Sequence, residues 1–298
     1  MKTFFIDNYG CAKNQVDAEE MATRLSAAGW SRVSSPEAAG LYIVNTCGFI
    51  EDAKKESIGA VVAARAAYPH AKVLVAGCLS QRYAAELAGD LVEADGVFGN
   101  ADLSRVTEVA EATLRGDRTT LVPQRVPYRP VTREVLTGFP GHAYLKIAEG
   151  CSNRCSFCAI PLIRGDTSSR PPEDLAAEFG TLVGRGIREV SIIGQDLGSY
   201  GLDLAGRQMM PELLKAISSV SGDWRVRLLY IHPDRFPYGI LEACSADSRI
   251  APYFDLPFQH ASRPVLRAMN RSGDADRYLA LLARSEERRV GKECRSRW

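Results

Sequence analysis

AYLKIAEGCSNRCSFC, residues 143–158, decides the architecture. Its first half has the length and apolar content of a β-strand and is stopped by Gly150. Its second half sets Cys151, Cys155 and Cys158 within eight residues, as CxxxCxxC. Three thiolates on one loop can wrap a single face of an iron–sulfur cluster. Four cysteines would close a [4Fe-4S] site, whereas three leave one iron open to another ligand. A zinc site short of its fourth ligand is the competing reading, but zinc knuckles normally use CxxC pairs.

Downstream, Glu189–Ile193, Val226–Ile231 and Tyr253–Leu256 read as further strands. Helices are expected at Pro172–Arg185, Pro211–Val220, Phe236–Ala246 and from Pro264 onward. At least four strand–helix units in series predict a whole or partial (β/α) barrel, whose chemistry gathers beyond the carboxyl ends of its strands. Upstream, Gly116–Gly141 carries Pro123, Pro127, Pro130 and Pro140 with no sustained period, so a linker is expected over residues 117–141. Before the linker the same grammar recurs. Strands Thr3–Ile6, Leu41–Val44, Lys72–Ala76 and Gly96–Phe98 alternate with helical spacing at Gln15–Ala28, Glu51–Ala67, Gln81–Leu87 and Leu103–Leu114. Residues 1–116 are therefore expected to form a Rossmann-like parallel sheet domain, and residues 142–285 an incomplete barrel.

Cys11, Cys47 and Cys78 are far apart in sequence but equivalent in position. Each follows one of the first three strands, at the sheet edge where α/β proteins bind ligands. Three cysteines at one edge are hard to ascribe to packing, and a second three-ligand cluster is inferred. Of the remaining two cysteines, Cys244 in LEACSA reads as a buried small hydrophobe and Cys294 lies in an anomalous tail. Apolar residues at 46% and charged residues at 24% are globular values, and no run approaches the roughly 18 residues of a membrane helix. The start, MKTFFID, lacks a secretory apolar region, so a cytoplasmic protein with reduced thiols is expected.

CxxxCxxC with Phe157 between its last two cysteines resembles the radical S-adenosylmethionine (SAM) superfamily. The resemblance implies that SAM chelates the open iron, and that its one-electron reduction yields a 5′-deoxyadenosyl radical able to take hydrogen from carbon. It also implies cofactor contacts at Phe157 and Ala159 beside the third cysteine, and at Gly194, Gln195 and Asp196, which end EVSIIGQD. Two three-cysteine sets together resemble the methylthiotransferases. That likeness is carried by GCAKNQVDAEEM, NTCGFIEDAKKESI, AGCLSQRY, YLKIAEGCSNRCSFCAIPLIRG and DLPFQHASRPVLRAMNR. It implies two [4Fe-4S] clusters, a radical one on Cys151, Cys155 and Cys158 and an auxiliary one on Cys11, Cys47 and Cys78. It further implies sulfur insertion at a C–H bond followed by methylation.

CGFIEDAKKESI, CAIPLIRG, QDLGSYGLD and LPFQHAS look like the RimO-type branch, which acts on an aspartate β-carbon of small-subunit ribosomal protein uS12. A MiaB-like tRNA adenosine enzyme is the alternative, and a non-catalytic zinc-binding module a second one. The formal charge of +1 mildly favours a protein substrate, because tRNA binders usually need a basic stripe. An electron donor such as flavodoxin or ferredoxin and a sulfur source are implied as partners, and no membrane. Arg284–Trp298, RSEERRVGKECRSRW, resembles translated sequencing-adapter sequence, so residues 286–298 are expected to be non-native and the natural chain truncated near residue 285. Without those fifteen residues the chain has 31 basic and 33 acidic side chains, a net charge of −2. A sixth barrel strand and the small substrate-docking barrel of the family are then missing, and weak or absent turnover is expected. Gln259 and His260 are placed at the barrel mouth, with a satisfied loop histidine as the plainer reading.

Overall fold

The computed structural model describes residues 2–127 and 131–287, and the expected non-native tail falls almost entirely outside them. The first half of the chain runs β1 (Thr3–Asn8), α1 (Ala12–Ala27), β2 (Ser31–Arg32), β3 (Leu41–Thr46), α2 (Glu51–Ala67), β4 (Lys72–Gly77), α3 (Cys78–Arg82), α4 (Ala84–Asp90), β5 (Gly96–Gly99), α5 (Val106–Arg115) and β6 (Thr119–Leu121). Its strands form one parallel sheet in the order β2-β1-β3-β4-β5-β6. LYIVNT of β3 is buried at every position, as a strand covered on both faces must be. Alternation assigns its side chains to two layers. Leu41 and Ile43 pack with Met21, Leu25, Val106 and Val109 of α1 and α5, while Tyr42 and Val44 pack with Val61 and Ala64 of α2.

The second half comprises β7 (His142–Lys146), β8 (Ala148–Glu149), α6 (Ile160–Arg164), β9 (Ser168–Ser169), α7 (Pro172–Gly184), β10 (Glu189–Ile193), α8 (Leu202–Ala205), α9 (Met210–Ser218), β11 (Arg225–Leu228), α10 (Gly239–Ala246), β12 (Ile250–Phe254), α11 (Arg263–Ala268) and α12 (Ala275–Glu287). Four strands make a parallel sheet in the order β12-β11-β10-β7. Leu175, Phe179, Leu213, Ile217 and Ile240 of the covering helices pack on Leu145, Val190, Ile192, Val226 and Leu228. This is the α/β class expected, with a partial barrel after a Rossmann-like sheet.

Several boundaries differ from the periodicity reading. Thr119–Leu121, inside the expected linker, extends the first sheet as β6, because a short β-branched run follows the left-handed stop at Gly116. The single helix expected over Gln81–Leu87 is two helices that begin at Cys78 and part at Tyr83. The last strand lies at Ile250–Phe254 rather than Tyr253–Leu256. The two-residue antiparallel pair β8–β9 was not anticipated; it closes the base of the loop that carries the three clustered cysteines. Arg133 in the linker is buried, and its guanidinium pairs with Glu19 of α1 at 2.5 Å and Glu178 of α7 at 2.9 Å, pinning both halves. Cys244 is half-buried against the second core, as a small hydrophobe would be.

Candidate metal and cofactor centre

From β1 the first sheet grows to β2 on one side and β3 on the other, so the carboxyl ends of β1 and β3 flank a topological switch point, the usual ligand crevice of such sheets. Cys11 leaves β1 there, Cys47 leaves β3, and Cys78 follows β4 next door. Asn14, fully buried on the first turn of α1, joins the three loops. Its Nδ2 donates to Thr46 O at 2.8 Å and Tyr9 O at 3.2 Å, while its Oδ1 accepts from the Cys78 thiol at 3.4 Å and faces the Cys11 thiol at 3.7 Å. Ser57 of α2 holds Cys47, its Oγ accepting the Cys47 N–H at 3.0 Å and donating to the Cys47 carbonyl at 3.2 Å. Asn100 Nδ2 donates to Cys78 Sγ at 3.5 Å. Burial pushes the Cys78 thiol up to about 11 and also raises Cys47.

In the second half, Cys151, Cys155 and Cys158 line one cavity of about 170 Å³ together with Phe157, Gln195, Tyr230 and His232. Phe49, two residues beyond Cys47, reaches into the same cavity from the first sheet. The loop is held by its backbone: Cys151 N–H donates to Gly165 O at 2.9 Å and Cys158 N–H to Cys155 O at 3.0 Å. Asn153 Nδ2 ties it to Asp196 Oδ2 at 2.8 Å, and Asn270 Nδ2 donates to Arg154 O at 2.8 Å. Burial raises Cys151 to about 11 and raises Cys158 as well. Among the described residues no three His, Cys, Asp or Glu side chains already converge to hold a single metal ion. A [4Fe-4S] cluster binds its thiolates to separate irons and suits thiols that are gathered around a space rather than aimed at one point. Cys151, Cys155 and Cys158, which line one cavity, suit such a cluster, and Cys11 and Cys78 of the other set both turn their thiols to Asn14 Oδ1.

Gly77 and Gly150 each precede a cysteine, and both have positive φ, +100° and +71°. A Cβ on Gly77 would lie 2.6 Å from Thr46 O, and one on Gly150 would lie 2.1 Å from Asp166 O. Gly77→Ala is expected to cost about 2–4 kcal/mol of stability, from backbone strain and a clash with main chain that cannot rotate away. Urea unfolding of the two proteins would measure it; a loss under about 1 kcal/mol would mean that the Cys78 turn is more compliant than the structure indicates.

The expected cofactor contacts fare unequally. Gln195 and Phe157 line the cavity, Phe157 with half its surface exposed. Gly194 is buried and does not line it. Asp196 is buried and its oxygens already accept from Gly198 N–H, Ser199 Oγ, His232 N–H and Asn153 Nδ2 at 2.6–3.0 Å, so it clasps the cysteine loop to the strand ends. Ala159 packs with Cys78 and Ile163 in a small apolar cluster and does not itself line that cavity, although its neighbours Cys158 and Ile160 do. Gln259 and His260 are exposed, and His260 Nδ1 is satisfied by Ser262 N–H at 2.9 Å. His232 also lines the cavity; burial, helped by Arg271, lowers its pKa.

Sequence reading also missed the charged groups buried between the two halves. Lys146 of β7 and Arg164 of α6 both reach Asp17 of α1, at 2.5 and 2.8 Å, and both pair with Glu149, at 2.9 and 2.8 Å. Burial would raise Glu149, but the two cations outweigh it and hold its carboxyl well below the usual range. Lys13, two residues after Cys11, lays its ammonium 3.5 Å from the ring centroid of Tyr230, joining the two sets of strand ends.

The family model described as the radical SAM superfamily matches residues 145–294, and that of uncharacterized protein family UPF0004 matches residues 3–99. The ribosomal protein uS12 methylthiotransferase RimO of Treponema denticola is 45% identical over 299 residues, covering 95% of this chain and 64% of the relative. The protein of the same name from Heliobacterium modesticaldum is 41% identical over 297 residues, covering 98% and 64%. The chain thus spans about 64% of the length of these curated relatives. Among solved structures, the radical SAM methyltransferase TsrM of Kitasatospora setae superposes with a TM-score of 0.65 at 14% identity, covering 97% of this chain and 66% of that one. The cobalamin-dependent SAM radical enzyme OxsB gives 0.63 at 8% identity, covering 96% and 48%. At such identities these two speak for the fold alone.

Proposed function

The chain belongs to the radical SAM superfamily and is similar to RimO proteins over nearly its whole length, and from that premise we propose that it is a methylthiotransferase whose substrate is an aspartate β-carbon of ribosomal protein uS12. The observation that carries the reading is that each three-cysteine set follows the carboxyl ends of a parallel sheet, with Phe49, two residues beyond Cys47, lining the cavity of Cys151, Cys155 and Cys158. Cys151, Cys155 and Cys158 would hold the radical cluster, and Cys11, Cys47 and Cys78 an auxiliary one. When bound, the two clusters and SAM would supply a hydrogen-abstracting radical, a sulfur atom and a methyl group. The chain's own residues shape the gap in which those meet. Gln195 offers an amide at the cavity wall, where the cofactor's polar end would lie, and Phe157 a ring face for its base. Asp196 keeps the cysteine loop in register through Asn153 rather than touching the cofactor itself. No helix among the described residues is long and apolar enough to cross a membrane.

Anaerobically reconstituted protein should carry about eight irons and eight labile sulfides per chain. Uniform zinc without sulfide would sink the reading. Mass analysis of uS12 and of tRNA from cells lacking the gene, against cells carrying it, identifies the substrate: loss of the modification on uS12 is expected, and loss on tRNA adenosine instead would reassign it.

A further inference from the structure

Arg164 closes α6, six residues beyond Cys158, and its guanidinium crosses into the first half of the molecule with 1% of the residue exposed. There Nη2 donates to Cys78 Sγ at 3.3 Å, to Asn14 Oδ1 at 3.1 Å and to Asp17 Oδ2 at 2.8 Å, and Nη1 donates to Glu149 Oε1 at 2.8 Å. Asp17 and Glu149 balance the charges of Arg164 and Lys146, so a cation this deep is neutralised without the sulfur. Nη2 has two protons for these three acceptors, so the contact to Cys78 Sγ is one arm of a shared hydrogen bond, and it is one that the ion network does not require. A thiol is a weak acceptor, whereas a thiolate bound to iron accepts a charge-assisted hydrogen bond well. Hydrogen bonds and positive charge at a cluster's sulfurs stabilise its reduced, more negative state and so raise its reduction potential.

We propose that Arg164 is a positioning residue for the auxiliary cluster, raising that cluster's potential through its hydrogen bond to Cys78 while anchoring the radical-cluster loop against it. The proposal rests on the reading of Cys11, Cys47 and Cys78 as cluster ligands. The same short segment, Cys158–Arg164, thus supplies a thiol to one centre and a hydrogen-bond donor to the other. A purely structural arginine would hold the halves together and leave the potential alone.

The test is a redox titration followed by electron paramagnetic resonance on the full chain carrying Cys155→Ala, so that the auxiliary cluster is the only one reporting. Arg164→Gln is expected to lower the midpoint enough to change the reduced-to-oxidised ratio at fixed potential about tenfold, which is about 59 mV for one electron. Arg164→Lys keeps the charge, loses the planar fork, and should fall between. It also carries the test if Arg164→Gln does not fold. Variants that retain their iron with the midpoint of the parent would overturn the proposal. A parent that binds no cluster at all overturns the ligand reading itself, and the iron count of the parent tells the two failures apart.

Discussion

Cys155→Ala should abolish reductive cleavage of SAM, with a rate loss of at least about a thousandfold, some 4 kcal/mol of barrier, and a fall from about eight irons per chain to about four. Cys155 is the middle thiol of the loop and one of three that line the cavity. Two thiolates cannot retain a cubane that three already leave open at one iron. The fold should survive, because the loop is held from outside the thiols, through Asn153 to Asp196 and through Ser156 N–H to Met269 O at 3.1 Å. Chromatographic assay of 5′-deoxyadenosine under dithionite, with iron analysis of the same sample, checks both halves of this expectation. Product formed near the parent rate by the variant would remove Cys155 from the radical site.

Cys47→Ala should do the opposite. Cleavage of SAM stays within about threefold of the parent, while methylthiolated product falls below detection, again by about a thousandfold or more. The asymmetry follows from the architecture. Cys47 follows β3 of the first sheet, held by Ser57, whereas apart from Phe49 the cavity of Cys151, Cys155 and Cys158 is lined from the second half, including Gln195, Tyr230, His232, Pro257 and Arg271. Among the described residues that line that cavity, Phe49 is the one contributed by the Cys47 loop, which accounts for the allowed threefold. Separate quantification of deoxyadenosine and of modified uS12 peptide distinguishes the two steps. Methylthiolated product from Cys47→Ala would dismiss the auxiliary role of this residue.

Much of this arrangement could be read from sequence because it is local or topological. CxxxCxxC needs no third dimension, and Cys11, Cys47 and Cys78 betray their common edge once each is seen to follow a strand. What escaped was non-local and charged. Asp17, Lys146 and Arg164 look like surface residues in sequence, and 129 and 147 positions separate the partners of Lys146–Asp17 and Arg164–Asp17. Nothing short of the docked halves predicts their burial. Arg133 lay in a stretch read as a linker, and its partners Glu19 and Glu178 sit 114 and 45 positions away. Asp196 was visible as a polar residue at a strand end. Its four hydrogen bonds, which leave it occupied by the chain itself, were not.

The buried ion network and Arg133 also determine what the covalent connection between the halves is for. Gln124–Pro127, within that connection, is exposed along its length. A protease that cut there would sever the backbone without freeing either piece: Arg133, Lys146 and Arg164 would remain on the carboxyl-terminal fragment with their carboxylate partners Glu19 and Asp17 on the other. The nicked protein would persist as a two-fragment complex, with Phe49 of one fragment still lining the cavity of Cys151, Cys155 and Cys158 on the other. Covalent continuity raises the effective concentration of the halves, and the recognition between them is ionic and already complete.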